Sequence, residues 1–223
     1  TATGGWDMTI RLWNTETGEQ IRVLKGHENW IRAIAFSPDG KLLASSDLDG
    51  TILLWNTVTG ELLKKTGSPD IPGLALAFSP DGLSVNSLAS TGHLQSWDVN
   101  SGEKKNEARN PDVLMLTSGA ITRNGQVAVG VVFGSLVFLD AKSGEVIGGL
   151  EVSQSSMNNV VALANDDKYL ACSSDEDVHV WDLAARQFLC TLKRHSDSVT
   201  ALAFSPDGKL LLSGGQDRKA VLW

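Results

Sequence analysis

The hydrophobic positions of this chain fall in short runs, roughly five residues long, that are separated by polar turns. The clearest stretch begins with the apolar run Ile31 to Phe36 and the turn Ser37-Pro38-Asp39-Gly40, and three further runs follow it. Proline presets φ and glycine accepts a positive φ, so turns of this kind connect antiparallel strands. The pattern therefore predicts a four-stranded antiparallel meander, and nothing in it indicates a helix.

This four-stranded unit repeats with a period of 42 residues along the whole chain. The repeats end near Trp13, Trp55, Trp97, Leu139, Trp181 and Trp223. An Asn or Asp directly follows each of the first five positions, and the tripeptide TGE or SGE recurs shortly afterwards in four copies. A register kept this strictly predicts a repeat architecture, with residues 1–223 as a single segment of six repeat units.

A unit of 42 residues and four strands that ends in Trp-Asp or Trp-Asn, with Gly26-His27 ahead of its first strand, resembles the WD-repeat family. The resemblance implies an all-β propeller of antiparallel four-stranded blades. One such sheet cannot cover both of its faces, so neighbouring sheets must stack around an axis. The copies SPDGKLLAS and SPDGKLLLS are similar to bacterial members of the family.

The period also predicts that the ring is unfinished. Six blade units are visible, but the first lacks its innermost strand and the last lacks its outermost strand. Neither a seven-bladed ring, which the resemblance favours, nor a six-bladed ring would be complete. We therefore expect an open or partial ring from a fragment of a longer protein, with unclosed edges that could support self-association.

The resemblance also implies a buried hydrogen-bond network in each blade, which joins a His, a Ser or Thr and an Asp to the period Trp. Two copies supply all four residue types at matching offsets: His27, Ser45, Asp49 and Trp55, and His195, Ser213, Asp217 and Trp223. Two copies are partial: Thr3, Asp7 and Trp13, and Asp175 with Trp181. Other copies have lost the His, with Pro69, Pro111 and Ser153 in its place. These residue types satisfy one another's donors and acceptors, so we interpret the sets as structural rather than as catalytic triads.

Propellers of this family usually bind partners on the face that carries the loops before the first strands and the turns between the second and third strands. In this sequence those positions hold four side chains that we call the tryptophan face: Trp6, Trp30, Arg32 and Leu48. Trp and Arg dominate interface hot spots, so we expect other proteins or peptides as partners. The alternative is that the two tryptophans are scattered surface aromatics without a role.

Composition narrows the function further. The formal net charge of -7 is spread through turns and disfavours binding to a nucleic-acid backbone. No apolar stretch is long enough to cross a membrane, and the first residues lack a secretory signal. Cys172 and Cys190 match no metal or redox spacing, so we expect reduced thiols and a cytoplasmic location.

Catalysis is not expected either, because the predicted innermost strands carry no His, Asp, Glu or Cys. We therefore predict no catalytic, cofactor-binding or metal-binding residues, and a non-catalytic scaffold that binds proteins. Two alternatives remain open. The segment could be the sensor or autoinhibitory carboxyl-terminal propeller of a larger signalling kinase or nucleotide-switch protein, or a propeller enzyme with a site in its channel.

Overall fold

The computed structural model describes residues 1–113, 115–152 and 159–223. Within these ranges the chain forms twenty-two β-strands and no α-helix. The same ranges contain no helix that is long and apolar enough to span a membrane. The expectation of an all-β chain is therefore confirmed for the residues described.

The strands form six antiparallel sheets that follow one another along the chain. The first three sheets contain β1 (Ala2–Gly4), β2 (Thr9–Trp13) and β3 (Gln20–Lys25); β4 (Ile31–Phe36), β5 (Leu42–Asp47), β6 (Thr51–Asn56) and β7 (Leu62–Gly67); and β8 (Gly73–Phe78), β9 (Ser84–Ala89), β10 (His93–Asp98) and β11 (Lys104–Arg109). The last three sheets contain β12 (Ser118–Ile121), β13 (Val127–Val132), β14 (Ser135–Asp140) and β15 (Val146–Glu151); β16 (Val161–Leu163), β17 (Tyr169–Ser174), β18 (Asp177–Asp182) and β19 (Gln187–Lys193); and β20 (Val199–Phe204), β21 (Leu211–Gly215) and β22 (Ala220–Leu222).

Each sheet is one blade of a propeller. The first strands β4, β8, β12, β16 and β20 contact one another in sequence, which places them around a common axis. The four middle blades have four strands each, whereas the first and last blades have three. Among the described residues no strand of the last sheet pairs with a strand of the first. The prediction of six antiparallel blades, with the first and last incomplete, is confirmed.

The residues at which the 42-residue repeats end occupy equivalent places in the blades. Five of them are each the fifth residue of a strand, at the point where the pairing with the following strand shifts by a bulge. They are Trp13 in β2, Trp55 in β6, Trp97 in β10, Leu139 in β14 and Trp181 in β18. Trp223 follows β22 and exchanges backbone hydrogen bonds of 2.9 and 3.1 Å with Leu211. The turn between the second and third strands is one residue shorter in the fourth and fifth blades than in the second and third.

The apolar core lies between blades rather than within them. Alternate residues of a strand point to opposite faces, so each middle sheet has two apolar faces, and each of these faces packs against a neighbouring sheet. Ile10 of β2 thus packs with Leu43 of β5, and Ala44 of β5 packs on the other side with Phe78 of β8. Three further clusters fill the remaining contacts between neighbouring blades. The stacking fixes the positions of the loops that carry the candidate site.

Candidate functional site

The last blade contains a complete buried network. The imidazole of His195 contacts both oxygens of Asp217 through Nδ1, at 3.0 Å each, and the hydroxyl of Ser213 through Nε2 at 2.8 Å. The indole Nε1 of Trp223 donates to the same hydroxyl at 2.8 Å. Since Asp217 can only accept, Nδ1 carries the proton, and the serine then donates to Nε2 while it accepts from the indole. The structure therefore brings these four sequence-predicted residues together.

The second blade contains a similar network with one different member. His27 contacts Ser45 Oγ through Nε2 at 2.6 Å, and Trp55 Nε1 donates to that hydroxyl at 2.8 Å. The carboxylate beside Nδ1, however, belongs to Asp47, at 2.8 Å. Asp49 is exposed and accepts a hydrogen bond from Asn29 Nδ2 at 2.9 Å instead. The assignment of Asp49 to this network was therefore wrong.

The reason is a competition between two positions in the same turn. In the last blade the position two residues after the network serine is Gly215, where an added Cβ would lie 2.9 Å from His195 Nδ1. That position therefore points directly at the imidazole. In the second blade the same position holds Asp47. Its side chain occupies the space beside the imidazole, so Asp49 does not contact the histidine. An acidic residue in one copy where the other has glycine was the signal in the sequence.

The Asp47 carboxylate also holds the following turn. Its Oδ1 accepts hydrogen bonds from the backbone nitrogens of Asp49 and Thr51, at 3.1 and 2.9 Å. The side chains of His27 and Asp47 are only 1% and 2% exposed. Burial lowers the pKa of His27, and the hydrogen bond and charge of Asp47 partly oppose that shift. The network therefore holds a neutral imidazole in the blade.

The first blade contains only part of the expected network. Trp13 Nε1 donates to Thr3 Oγ1 at 2.9 Å. Asp7 is exposed and contacts Thr9 and Arg11 instead, at 2.9 and 2.6 Å. The hydrogen bond from Arg11, followed by that from Thr9, lowers the pKa of Asp7 to about 2. Asp7 thus organises its own turn and does not join Thr3 and Trp13.

The fifth blade does not use its aspartate in the expected way. Asp175 lies in the shortened turn with a φ of 52°, and its side chain is exposed, while Trp181 is buried among apolar residues. The shorter turn directs the carboxylate outward, so the proposed partial set of Asp175 and Trp181 was wrong. Ser153, at the histidine position of this blade, lies outside the described residues.

The third blade retains its tryptophan without the network. The indole Nε1 of Trp97 is buried, and no described residue accepts its hydrogen bond, although Ser87 stands at the serine position. A buried donor without a partner costs about 1–3 kcal/mol. Trp97 therefore contributes apolar area to the blade, but its indole nitrogen donates no hydrogen bond to a described residue.

Trp97→Phe should consequently change the free energy of unfolding by less than about 1 kcal/mol, because the lost ring area is offset by the removal of an unsatisfied donor. The matched control is Trp55→Phe, which removes a satisfied donor and should cost about 2 kcal/mol or more. Urea titration of both variants measures the difference. Equal losses in the two variants would show that the indole hydrogen bond of Trp55 adds nothing.

Two residues of the tryptophan face form a rigid pair. The rings of Trp6, in the turn after β1, and Trp30, just before β4, stack with centroids 5.0 Å apart and an angle of 16°. They are 74% and 42% exposed. The carbonyl of Gly5 accepts hydrogen bonds from the backbone nitrogens of Met8 and Ile31, both at 3.2 Å, which ties the turn of the first blade to the second blade.

The other two residues of the tryptophan face lie close by in the second blade. The backbone nitrogen of Leu48 donates to the carbonyl of Trp30 at 3.0 Å, and its side chain is partly buried. Arg32, second in β4, is exposed. Met8, beside Trp6 in the same turn, is 41% exposed and extends the apolar surface, which the sequence pattern did not reveal.

The axial channel contains two cavities, of about 380 and 390 Å³, that share Leu76, Ile121 and Leu163 in their walls. Most of the lining side chains are apolar, but more of the exposed wall is polar than apolar, and Asp167 is the only carboxylate that lines either cavity. Its oxygens accept hydrogen bonds from the backbone nitrogens of Arg123 and Asn124. Nowhere in the described ranges do three or more His, Cys, Asp or Glu side chains group in a way that could hold a metal.

Comparison with known proteins agrees with this architecture. The family described as WD domain, G-beta repeat matches residues 18–56, 150–182 and 186–223. A nuclear distribution protein PAC1 from Coprinopsis cinerea is 58% identical over 40 residues, which are 18% of this chain and 9% of that protein. The protein of the same name from Mycosarcoma maydis is 52% identical over 44 residues, 20% of this chain and 10% of the relative. These matches span about a tenth of the relatives' length. The matched repeats and the propeller fold support a WD-repeat β-propeller family for this chain.

Proposed function

We propose that this chain is a non-catalytic scaffold that binds another protein or peptide through the tryptophan face. The observation that carries the proposal is the stacked and exposed pair of Trp6 and Trp30. Each ring already stacks on the other, so less side-chain entropy would be lost when a partner covers the pair. Rigid, preorganised indoles are the side chains that most often dominate protein interfaces.

The exposed surface of the two indoles is large enough to contribute substantially to the free energy of binding. Burying about 100 Å² of apolar surface is worth roughly 2.5 kcal/mol, and an indole can bury more than that. Arg32 supplies a guanidinium at the edge of the same surface, and Leu48 supplies apolar contact. An apolar centre with a charged edge fits a folded partner or a peptide.

Other properties support an interaction role in a reducing compartment. Cys172 is buried and Cys190 is exposed, and both are free thiols. Burial raises the pKa of Cys172 to about 12, so its thiol is poorly suited to nucleophilic chemistry. The net charge of -7 disfavours a nucleic-acid partner. The channel cavities offer one carboxylate, already occupied by backbone donors, which fits a non-catalytic role.

The test is the double substitution Trp6→Ala and Trp30→Ala, used as bait in cell extract with quantitative mass spectrometry of what is retained. Each substitution should weaken a bound partner by about 2 kcal/mol, or roughly thirtyfold. Val58→Ala is the control, because Val58 is 73% exposed in the turn after β6, at the opposite end of the blade. Retention of the same proteins in the same amounts by both variants would refute the proposal.

A further inference from the structure

A β-bulge presents Arg32 at the end of the channel nearest the tryptophan face. In the pairing of β4 with β5, Ile31 lies opposite Asp47 and Ala33 opposite Ser46, so Arg32 has no partner in the register. The same irregularity recurs where β8 begins, at Leu74, and where β20 begins, at Thr200. Bulges redirect side chains, and in these three blades only Arg32 brings a charge.

The cavity beside this bulge has a volume of about 390 Å³. Arg32 is the one charged residue that lines it, and the remaining walls include Ile34, Leu74 and Ala120. Arg32 forms no ion pair with the described residues. The seven residues outside the described ranges contain no Asp or Glu that could pair with it. The cavity therefore contains a guanidinium that has no counter-ion among the described residues.

The opposite end of the channel is different. The cavity there is lined by both Arg123 and Asp167, so a carboxylate of the chain itself already faces that cavity. Asp167 is fixed in place by the backbone nitrogen of Arg123 at 2.8 Å. An incoming anion would be repelled at this end but not by the walls around Arg32. The asymmetry favours the Arg32 end as an anion site.

We propose that the cavity at Arg32 binds a peptide carboxylate. This inference rests on the proposed function and specifies the partner's chemistry. A guanidinium pairs with a carboxylate through two parallel hydrogen bonds. The carboxylate can come from a chain terminus or from an Asp or Glu side chain, because both present the same group. The volume falls within the range that holds small ligand groups.

Three probes separate these sources: N-acetyl-Leu-Leu with a free carboxyl terminus, the same dipeptide as its amide, and N-acetyl-Leu-Glu amide. Binding is followed by NMR through the arginine Nε–Hε signals of the whole chain, with probe up to about 10 mM, because a small ligand of this kind binds near the millimolar range. At least one carboxylate probe should shift the Arg32 signal saturably. The uncharged amide should not. Shifts from the first probe indicate a terminal carboxylate, and shifts from the third indicate a side chain.

The variants are Arg32→Gln and the matched control Arg123→Gln, which removes the guanidinium at the other end of the channel. The first should weaken probe binding at least tenfold, and the second should leave it unchanged. Equal binding of the amide, unchanged binding by Arg32→Gln, or no shift with either carboxylate probe would overturn the inference. The tryptophan double variant distinguishes the two proposals: if it loses its partners while Arg32→Gln keeps them and binds probes normally, the scaffold role stands and the carboxylate site fails.

Discussion

Asp47→Ala is expected to lower the free energy of unfolding by about 2–4 kcal/mol, whereas Asp49→Ala, two residues later, should cost less than about 0.5 kcal/mol. The two aspartates occupy the same turn and have the same chemistry, but only Asp47 is buried against His27. Removing it leaves the imidazole Nδ1 of His27 without an acceptor. It also releases the two backbone nitrogens that Asp47 holds in the turn.

Urea titration of both variants at neutral pH, with the slope compared to confirm two-state behaviour, measures the difference. Asp47→Asn is the informative control, because the amide oxygen can still accept from His27 while the charge is lost. Its stability should lie between those of Asp47→Ala and the unmodified chain. A larger loss for Asp49→Ala than for Asp47→Ala would mean that the turn is built as in the last blade.

The sequence could predict the architecture because its signals are local and repeated. The period of 42 residues depends on turns and strand lengths that each blade sets for itself, and six copies reinforce one another. The network at His195 could be predicted for the same reason, since Gly215 leaves the room that its aspartate needs. Where a copy has a glycine at that position, counting offsets is sufficient.

Counting offsets along the sequence gives the wrong residue where two side chains compete for one space, and it cannot predict contacts between two blades. Asp47 and Asp49 both stand near the correct offset, and only the direction of Cβ decides between them. The stacking of Trp6 on Trp30 depends on the carbonyl of Gly5, which binds across the boundary between two blades. The bulge at Arg32 depends on pairing register, which a single strand does not reveal. The part of the site that could not be predicted is thus the part made by contacts between elements.

Gly50→Ala should cost about 3 kcal/mol or more, while Gly40→Ala should cost about 1 kcal/mol. Both glycines have a positive φ, of 81° and 71°, so both substitutions carry the same backbone strain. A Cβ at Gly40 meets nothing within 4 Å. At Gly50 it would lie 2.2 Å from the carbonyl oxygen of Ser68 and 2.7 Å from that of Ile71.

The difference between these two variants therefore isolates the close approach of the β7–β8 loop to the β5–β6 turn. Urea titration gives the two costs, and partner retention gives a second readout, since the displaced turn also holds Leu48 against the carbonyl of Trp30. Gly50→Ala should weaken retention in the fraction that remains folded, whereas Gly40→Ala, at the opposite end of the blade, should not. Equal costs would mean that the loop does not pack against Gly50. A stability loss without a binding loss would separate the turn from the tryptophan face.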